Sequence, residues 1–289
     1  MESALVTIGV PLYNHARYIV ECLDSLLRQT YPSTEIIIID DGSTDDSFAI
    51  ASDFLHSQTL NPRYEIVTRP NRGMCNTMNE IAQKAQGEFI SFIGSDDYWM
   101  PEKIADQAAY LLANPDVTLV HSCSVRVDDK GEIIGELNFP KKIKTGYLFE
   151  ELVRGKAKIN TTSHLYRRAV FDDIGYYDPA FRFEDTDFWL RLSKEHKVGF
   201  IDAVHCNYRW HGENLSSPQN DLVFYNEELL EIYRKNVSDT RLLKTALRRI
   251  HKKSMKTAWR SGERHLALEQ LAQYLSPSLV SKKQAPEKQ

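Results

Sequence analysis

The first 115 residues alternate short apolar runs with segments in which apolar residues recur every three or four positions. In residues 19–27, Ile19, Leu23 and Leu26 have the spacing of one helix face. Residues 36–39 are four consecutive isoleucines, which is typical of a strand buried on both faces of a sheet. Repetition of strand and helix in this order predicts an α/β fold with a parallel sheet and right-handed crossovers.

The pattern changes after about residue 115, where strand signals dominate. Further strands are predicted at 117–127, 132–134, 162–166 and 198–201, with a hairpin turn at 128–131. A helix is expected over 184–192. Residues 140–160 are basic and irregular, and we interpret them as a mobile loop. The second half is therefore expected to turn the parallel sheet into a mixed one.

The remaining residues are predicted to be helical from 221 to 274, with breaks near 236–239 and 261–262. We divide the chain into a catalytic domain, a helical extension at 218–280 and a disordered polar tail at 281–289. The catalytic domain covers 1–217, with a nucleotide-binding half at about 1–115 and an acceptor half at about 116–217.

Bulk properties exclude several classes of protein. The formal net charge of −4 over 289 residues gives no overall electrostatic attraction for nucleic acid. The four cysteines are widely separated, which favours a reducing compartment over a disulfide framework or a zinc site. No apolar run has the length of a signal sequence or a membrane span. We therefore expect a cytoplasmic location.

Polar side chains stand at the ends of three of the first four predicted strands. They are Tyr13 and Asn14, Asp40 and Asp41, and Asp96 and Asp97. In isolation, each acidic pair is also explained as a turn or a helix cap. In an open α/β sheet, however, these strand ends converge on one crevice. Clustered carboxylates repel one another unless a cation is present, so we predict Mn²⁺ or Mg²⁺ bridging them to a diphosphate.

Six segments in this order resemble the family 2 glycosyltransferases. They are Thr7-Ile-Gly-Val-Pro-Leu-Tyr-Asn14, Ile38-Ile-Asp-Asp-Gly-Ser-Thr-Asp45, Asn71-Arg-Gly73, Gly87-Glu-Phe-Ile-Ser-Phe-Ile-Gly-Ser-Asp-Asp97, Phe183-Glu-Asp-Thr-Asp-Phe-Trp-Leu-Arg191 and Tyr208-Arg-Trp-His-Gly-Glu-Asn-Leu-Ser216. The resemblance implies a GT-A fold, with a mixed central sheet flanked by helices and a nucleotide-binding half joined to an acceptor-binding half. It also implies a nucleotide-diphospho-sugar donor and a divalent metal.

The resemblance assigns the nucleotide-sugar site residue by residue. Asp41 resembles the carboxylate that accepts a hydrogen bond from the base, usually uracil, and Pro11 lies against the base through its main chain. Asp96 is implied near the ribose and Asp97 at the metal, while Ser95 replaces the first acid of many relatives. The remaining implied contacts to the nucleotide-sugar are Tyr13, Asn14, and Arg69 or Arg72, between which the sequence does not decide.

The last two segments supply the catalytic base and a second metal ligand. Asp185 resembles the base that removes the acceptor proton, although Glu184 and Asp185 also suit the first turn of any helix. His211 resembles a metal ligand, although a lone histidine after a strand is commonly an ordinary surface residue. Further contacts to acceptor or phosphate are implied for Glu184, Trp189, Arg209 and Ser216. Asp187 is interpreted as structural or as an acceptor contact.

These assignments predict an inverting transferase that moves a hexosyl or N-acetylhexosaminyl group from a nucleotide-diphospho-sugar, most often UDP-linked, to an acceptor hydroxyl. A glycan or glycolipid of the cell surface is the acceptor that the family implies. The alternative is a catalytically inactive protein of the same fold that binds sugar nucleotides. A phosphatase of the haloacid-dehalogenase type is excluded, because Gly42 or Ser43 stands where its second acid is needed.

Basic residues are concentrated near the end of the chain. Lys244, Arg248, Lys252 and Lys256 follow one another at four-residue spacing in a predicted amphipathic helix. One interpretation is peripheral binding to an anionic membrane surface, at the inner face of the cell membrane. The other is a solvated face on a helix that packs against the catalytic domain. The sequence leaves both open, together with the sugar, the nucleotide, the acceptor and the oligomeric state.

Overall fold

The computed structural model describes residues 3–58, 63–136, 143–182, 184–211, 214 and 222–279. Strands in these residues are β1 (Val6–Leu12), β2 (Thr34–Asp40), β3 (Arg63–Thr68), β4 (Phe89–Phe92), β5 (Tyr98–Trp99), β6 (Val117–Val127), β7 (Ile133–Glu136), β8 (His164–Arg167) and β9 (Lys197–Arg209). The helices are α1 (Ile19–Leu27), α2 (Ser47–Ser57), α3 (Met74–Lys84), α4 (Lys103–Ala113), α5 (Phe149–Val153), α6 (Val170–Ile174), α7 (Glu184–Glu195), α8 (Leu222–Asn236), α9 (Thr240–Arg260) and α10 (Arg264–Leu275).

The strands form one mixed sheet in the order β3-β2-β1-β4-β8-β6-β9-β5, and β7 pairs with β6 at the side of this path. Strands β3, β2, β1 and β4 are parallel, as the alternation of strands and helices predicts. Strand β8 is antiparallel to both of its neighbours, β4 and β6. The predicted change from a parallel to a mixed sheet is confirmed.

Both faces of the sheet are covered, which explains the uninterrupted apolar runs in its strands. On one face, alternate residues of β1 such as Ile8 and Val10 are buried against α1, α2 and α4. On the other face, Ile37 and Ile90 lie in a second core with residues of α3, α6 and α7. The carboxyl ends of the parallel strands are thereby held at one edge, where polar loops follow them.

The C-terminal helices are joined to the sheet by a third apolar cluster. Leu190 of α7 and Val153 of α5 pack there with Ile232 of α8 and Leu247 of α9. The helix breaks fall at 237–239 and 261–263, close to the predicted positions. None of the helices within the described residues has the length and apolar character needed to span a bilayer.

The expected mobile loop over 140–160 is corrected in its described part. Gly146 pairs with Val198 at the edge of β9, and α5 follows at Phe149–Val153. Leu148 and Val153 are buried, so apolar contacts fix a segment whose basic composition suggested a loop. Residues 140–142 and the predicted tail at 281–289 lie outside the described residues.

Candidate functional site

The loops after β1 and β2 are held together by side chains of both. The main-chain N–H of Asn14 donates to Ser43 Oγ at 2.9 Å, and Asn14 Oδ1 accepts from the N–H of Thr44 at 2.7 Å. Asn14 adopts a positive φ of 52°, a conformation that asparagine tolerates better than most residues. The N–H of His15 donates to Ser47 Oγ at 2.8 Å. Two strand ends that are distant in sequence therefore form one rim.

Asp41 connects this rim to the loop between β3 and α3. Its carboxylate accepts the main-chain N–H groups of Arg72 at 2.7 Å and Gly73 at 2.8 Å, and it pairs with the Arg69 guanidinium. Gly42 has a φ of 74°, and a Cβ there would lie 2.8 Å from the nitrogen of Asn71. Glycine at this position allows the two loops to approach each other closely.

The two arginines between which the sequence could not decide have different surroundings. The guanidinium of Arg69 pairs with Asp41 and, through Nε, with Glu80 Oε2 at 2.9 Å. The side chain of Arg72 is exposed at the rim. Pro11 is buried within β1, whereas the adjacent Tyr13 is 45% exposed. Of these residues, Arg72 and Tyr13 are the ones whose side chains are accessible to a ligand.

Asp96 lies between two histidines. His211 Nε2 is 3.0 Å from Asp96 Oδ2, and His15 Nδ1 is 3.9 Å from Asp96 Oδ1. One potential ligand atom from each of the three residues falls within 4.8 Å of the others. Burial by itself raises the pKa of Asp96, but the contact with His211 and the proximity of His15 hold it below its ordinary value. A carboxylate and two imidazoles form a suitable set of donors for a divalent cation.

The resemblance implied Asp97 and His211 as metal ligands, and the structure places the Asp96 carboxylate, rather than that of Asp97, next to His211. Asp97 Oδ1 accepts the main-chain N–H of Arg209 at 2.9 Å, and its side chain is buried. Burial and the neighbouring Asp96 carboxylate raise the pKa of Asp97 well above its usual range. The tight turn in which the N–H of Asp97 donates to Gly94 O at 3.0 Å directs the adjacent carboxylates to different partners.

Arg209, for which the resemblance implied a contact to acceptor or phosphate, has a buried guanidinium that is bonded to other parts of the chain. Its side chain is 1% exposed, and its guanidinium donates to the carbonyl oxygens of Asp96 and Asp128 at 3.0 Å each and to the Glu21 carboxylate. These contacts attach the end of β9 to the loop that carries Asp96. Arg209 therefore helps to position the loop that carries Asp96. Ser216, the other implied phosphate contact, lies outside the described residues.

Two residues that lie beside Asp96 and His211 were not predicted from the sequence. His15 follows Asn14 directly, and its position at a strand end was the available signal. Tyr18 stacks on the ring of His211, with ring centroids 5.3 Å apart and planes inclined by 22°. Nothing in the local sequence around Tyr18 indicates this contact, because it joins segments almost 200 residues apart.

The first turn of α7 holds the two acids that the sequence singled out. Burial and the adjacent Asp185 carboxylate raise the pKa of Glu184 to about 8. Burial also raises the pKa of Asp185, opposed by hydrogen bonds from the Thr186 hydroxyl and N–H, and helped by the charge of Glu228 on α8. Proton affinities above the ordinary carboxyl value suit groups that exchange protons near neutral pH.

The neighbouring residues of α7 face the interior. Trp189, for which the resemblance implied a contact to acceptor or phosphate, is buried and donates its indole N–H to Tyr166 Oη at 3.0 Å. Asp187 is fully buried and accepts from Arg191 at 2.9 Å and from Lys235 and Asn236 at 2.8 Å each. Of its two interpretations, the structural one fits: Asp187 connects α7 to α8.

The chain is similar in sequence to two chondroitin synthases. The chain is 29% identical over 235 residues to chondroitin synthase from Pasteurella multocida (strain Pm70). The aligned region covers 78% of this chain and 23% of that protein. The chain thus spans about a quarter of the length of this relative, and it spans 31% of a second chondroitin synthase, from Escherichia coli.

Solved structures of glycosyltransferases share the fold. TarS residues 1–349 from S. aureus, in complex with UDP-GlcNAc, has a TM-score of 0.69 and 21% identity, covering 93% of this chain and 80% of that one. The mannosyltransferase PcManGT from Pyrobaculum calidifontis, in complex with GDP-Man and Mn²⁺, has a TM-score of 0.63 and 18% identity, covering 94% and 75%. The family model "Glycosyl transferase family 2" matches residues 7–175, more than half of the chain. The chain therefore has a GT-A fold and belongs to the family 2 glycosyltransferases.

Proposed function

We propose that this protein transfers a hexosyl or N-acetylhexosaminyl group from a UDP-linked sugar to an acceptor hydroxyl, with inversion at the anomeric carbon. The observation that carries the proposal is the meeting of His15, Asp96 and His211 at the carboxyl edge of the parallel strands. Ligands of open α/β sheets bind at this edge, and a diphosphate needs a cation there.

A divalent metal ion, Mn²⁺ or Mg²⁺, fits this set of donors. Asp96 and His211 are the residues that we propose as ligands, with His15 beside them. When bound, such an ion stabilises the negative charge that develops on the leaving nucleoside diphosphate. The mixed nitrogen and oxygen donors favour Mn²⁺ over Mg²⁺, which prefers oxygen alone. The complex of PcManGT with GDP-Man and Mn²⁺ supports the same proposal.

The nucleotide is proposed to lie over the rim formed by the loops after β1, β2 and β3. Each carboxylate oxygen accepts more than one hydrogen bond, so Asp41 retains acceptor capacity for a base N–H beyond its bonds to Arg72 and Gly73. The exposed side chains of Tyr13 and Arg72 are proposed to contact the base and the diphosphate. The UDP-GlcNAc complex of TarS supports a uridine nucleotide.

Asp185 is proposed as the catalytic base. An acceptor hydroxyl becomes a competent nucleophile only if its proton is removed as the new C–O bond forms. Asp185 takes that proton while the nucleoside diphosphate departs from the opposite side of the sugar, so an α-linked donor yields a β-linked product. Glu184, whose pKa is raised by burial and by the neighbouring Asp185 carboxylate, is proposed to hold the acceptor by a hydrogen bond.

The acceptor is proposed to be a glycan or glycolipid in the synthesis of a surface polysaccharide. The likeness to chondroitin synthase from Pasteurella multocida supports this class of acceptor. A sugar hydroxyl on such an acceptor has no acidity of its own near neutral pH, which is the reason that the site needs a base.

The experiment is a binding and turnover assay on the full chain. Calorimetry with UDP, GDP and dTDP, each with and without Mn²⁺, measures nucleotide preference, and we expect UDP to bind most tightly with Mn²⁺ present. Release of UDP from a panel of UDP-sugars, with and without oligosaccharide acceptors, then measures transfer. Acceptor-dependent release confirms a transferase. Binding without release by any donor and acceptor pair favours the inactive sugar-nucleotide-binding protein, and no binding of any nucleotide contradicts the proposal.

A further inference from the structure

Helix α9 is electrostatically unlike the rest of the chain. Its 21 residues include eight lysines and arginines and no acidic residue. Since the whole chain has a formal net charge of −4, and α9 contributes +8, the rest of the chain carries −12. Helix α9 therefore concentrates positive charge on a chain whose remainder is acidic in sum, and such a concentration attracts anionic partners.

The two sides of α9 have different surroundings. Leu243, Ala246 and Ile250 are buried against α8 and α5. The exposed residues at positions 241, 248, 252, 256 and 259 recur at intervals of three, four or seven and form one stripe along the helix. We call this set the basic stripe; it comprises Arg241, Arg248, Lys252, Lys256 and Trp259. The two interpretations of the basic helix are thus compatible, because one side packs on the catalytic part while the other faces solvent.

Helix α10 has an apolar side that nothing in the described part of the chain covers. Its apolar residues at positions 268, 271 and 275 have the spacing of one helix face. Leu268 and Leu275 are 61% and 65% exposed, and Leu271 is exposed as well. We call Leu268, Leu271 and Leu275 the leucine stripe. Three aligned leucines in water are unfavourable for a protein that acts alone in solution.

The basic stripe and the leucine stripe face the same side of the helix pair. Arg248 reaches the carbonyl of Leu275 at 3.5 Å, and His251 Nδ1 lies 2.7 Å from Gln270 Oε1, so α9 and α10 run antiparallel. His251 and Gln270 mark the sides of α9 and α10 that face each other. At about 100° per residue, the centre of each stripe is rotated by roughly 90–130° from that residue of its own helix, in the same sense in both helices. When two helices run antiparallel, similar rotations in the same sense, counted from the contact between them, lead to the same side of the pair. The basic stripe and the leucine stripe therefore share one side. The buried residues of α9 are rotated in the opposite sense and lie on the other side.

We propose that this side of α9 and α10 docks on an anionic lipid bilayer. The basic stripe pairs with anionic headgroups, and the leucine stripe enters the boundary between headgroups and acyl chains. Trp259 is 64% exposed and lies within the basic stripe. Indole rings favour the interface between water and lipid, so this side chain suits the proposed contact. Docking holds the catalytic part beside the membrane, where a glycolipid acceptor is presented.

A second copy of this chain is the other occupant to consider. Self-association through the same side would oppose two basic stripes, and like charges at short distance repel. The leucine stripe alone comprises three side chains, too few for the buried area of a stable dimer. Charge complementarity therefore selects the anionic bilayer.

The test is vesicle binding by the purified full chain in the absence of a sugar nucleotide. Vesicles of phosphatidylcholine alone are compared with vesicles that also contain phosphatidylglycerol, at low and high salt. We expect co-sedimentation with the anionic vesicles only, weakened by salt, and a blue shift of tryptophan fluorescence that is lost in Trp259→Phe. The other tryptophans, Trp99, Trp189 and Trp210, are less exposed, so the shift reports on Trp259.

Two variants address the two stripes separately. Arg241→Glu, Lys252→Glu and Lys256→Glu together are expected to weaken binding on the order of 100-fold or more, because each basic residue near the surface contributes to the attraction. Leu268→Ser with Leu275→Ser is expected to reduce binding and the blue shift while leaving thermal unfolding unchanged, since both residues are exposed. The matched control reverses three exposed charges elsewhere: Arg28→Glu, Arg63→Glu and Lys156→Glu.

Three results would overturn the proposal: no binding of the wild type to anionic vesicles at low salt, unchanged binding by the basic-stripe variant, or equal loss in the control variant. A dimer in light scattering that Leu268→Ser disrupts, without vesicle binding, assigns the surface to self-association instead. The measurement uses neither donor nor metal. A failed docking test therefore leaves transfer to soluble acceptors unaffected, and a failed transfer assay leaves vesicle binding unaffected.

Discussion

Asp96 and Asp97 are adjacent residues of one chemical type, and the folded chain gives their carboxylates different partners. Asp96 faces His211, while Asp97 accepts a main-chain N–H from Arg209. We expect Asp96→Asn to weaken Mn²⁺-dependent UDP binding by at least about tenfold, because a charged ligand is lost. Asp97→Asn keeps an oxygen for the Arg209 N–H and should retain most of the Mn²⁺ affinity. Calorimetry of Mn²⁺ with UDP measures both variants, and the reverse ranking would identify Asp97 as the metal ligand, as the sequence implied.

The pH dependence of transfer depends on the acids of α7. A base acts only when deprotonated, and burial raises the pKa of Asp185, so kcat/KM should fall with decreasing pH sooner than an ordinary aspartate predicts. The negative charge of Glu228 contributes to this rise. Glu228→Gln removes that charge and should therefore move the acid limb of the kcat/KM profile to lower pH. An unchanged limb in this variant contradicts Asp185 as the titrating base.

Asp185→Asn is the companion test, since asparagine accepts no proton. We expect kcat to fall by about 100-fold to 10,000-fold, the usual contribution of a general base. UDP affinity measured by calorimetry should stay unchanged, because Asp185 lies on α7 and not in the rim loops. Lost UDP binding in this variant would indicate that α7 supports the nucleotide site instead.

At the scale of elements, the junction of α7 and α8 depends on one buried carboxylate. Asp187 pairs with Arg191 and Lys235 and accepts from Asn236. Its replacement by alanine leaves those donors uncompensated and should lower the free energy of unfolding by about 3 kcal/mol. Asp178 shares Lys235 but is more exposed, so Asp178→Ala should cost less than about 1 kcal/mol. Urea unfolding measures both variants, and equal losses would show that burial does not decide the effect.

Helix α9 begins at a single capping residue. Asp239 Oδ1 accepts the N–H of Leu242 at 2.6 Å, which satisfies one of the unpaired donors of the first turn. Asp239→Ala should reduce stability by about 1 kcal/mol, and Asp239→Ser should recover most of it, because serine also caps helices. Thermal unfolding of the two variants measures the difference, and no recovery by serine would assign the effect to charge.

At the scale of the whole molecule, the C-terminal helices complete the core of the catalytic part. Phe181 and Leu190 pack against Tyr233 and Leu243. A fragment ending at residue 217 would expose this cluster to water, so we expect it to aggregate or to unfold well below the full chain. Calorimetry of the full chain should show a single transition. Two separate transitions, or a stable fragment, would identify the extension as an independent unit.

The sequence determined the fold class and the polar residues that follow the parallel strands at one edge of the sheet. Alternating strand and helix periodicity is a local property, and the six ordered segments are read directly from the chain. The third cluster, which joins α5 and α7 to α8 and α9, could not be read this way, because it depends on contacts between distant segments. For the same reason, the sequence predicted a mobile loop over 140–160, although residues 146–153 are held in place by contacts with distant parts of the chain.

Which side chains meet was decided only by tertiary structure. The sequence named Asp96, Asp97 and His211 together but could not tell which carboxylate faces the histidine, because a tight turn directs adjacent residues to different partners. It could not separate Arg69 from Arg72, since the pairing of Arg69 with Glu80 exists only after folding. Periodicity specifies which face of an element is buried, whereas the direction of a polar side chain depends on partners that folding brings near.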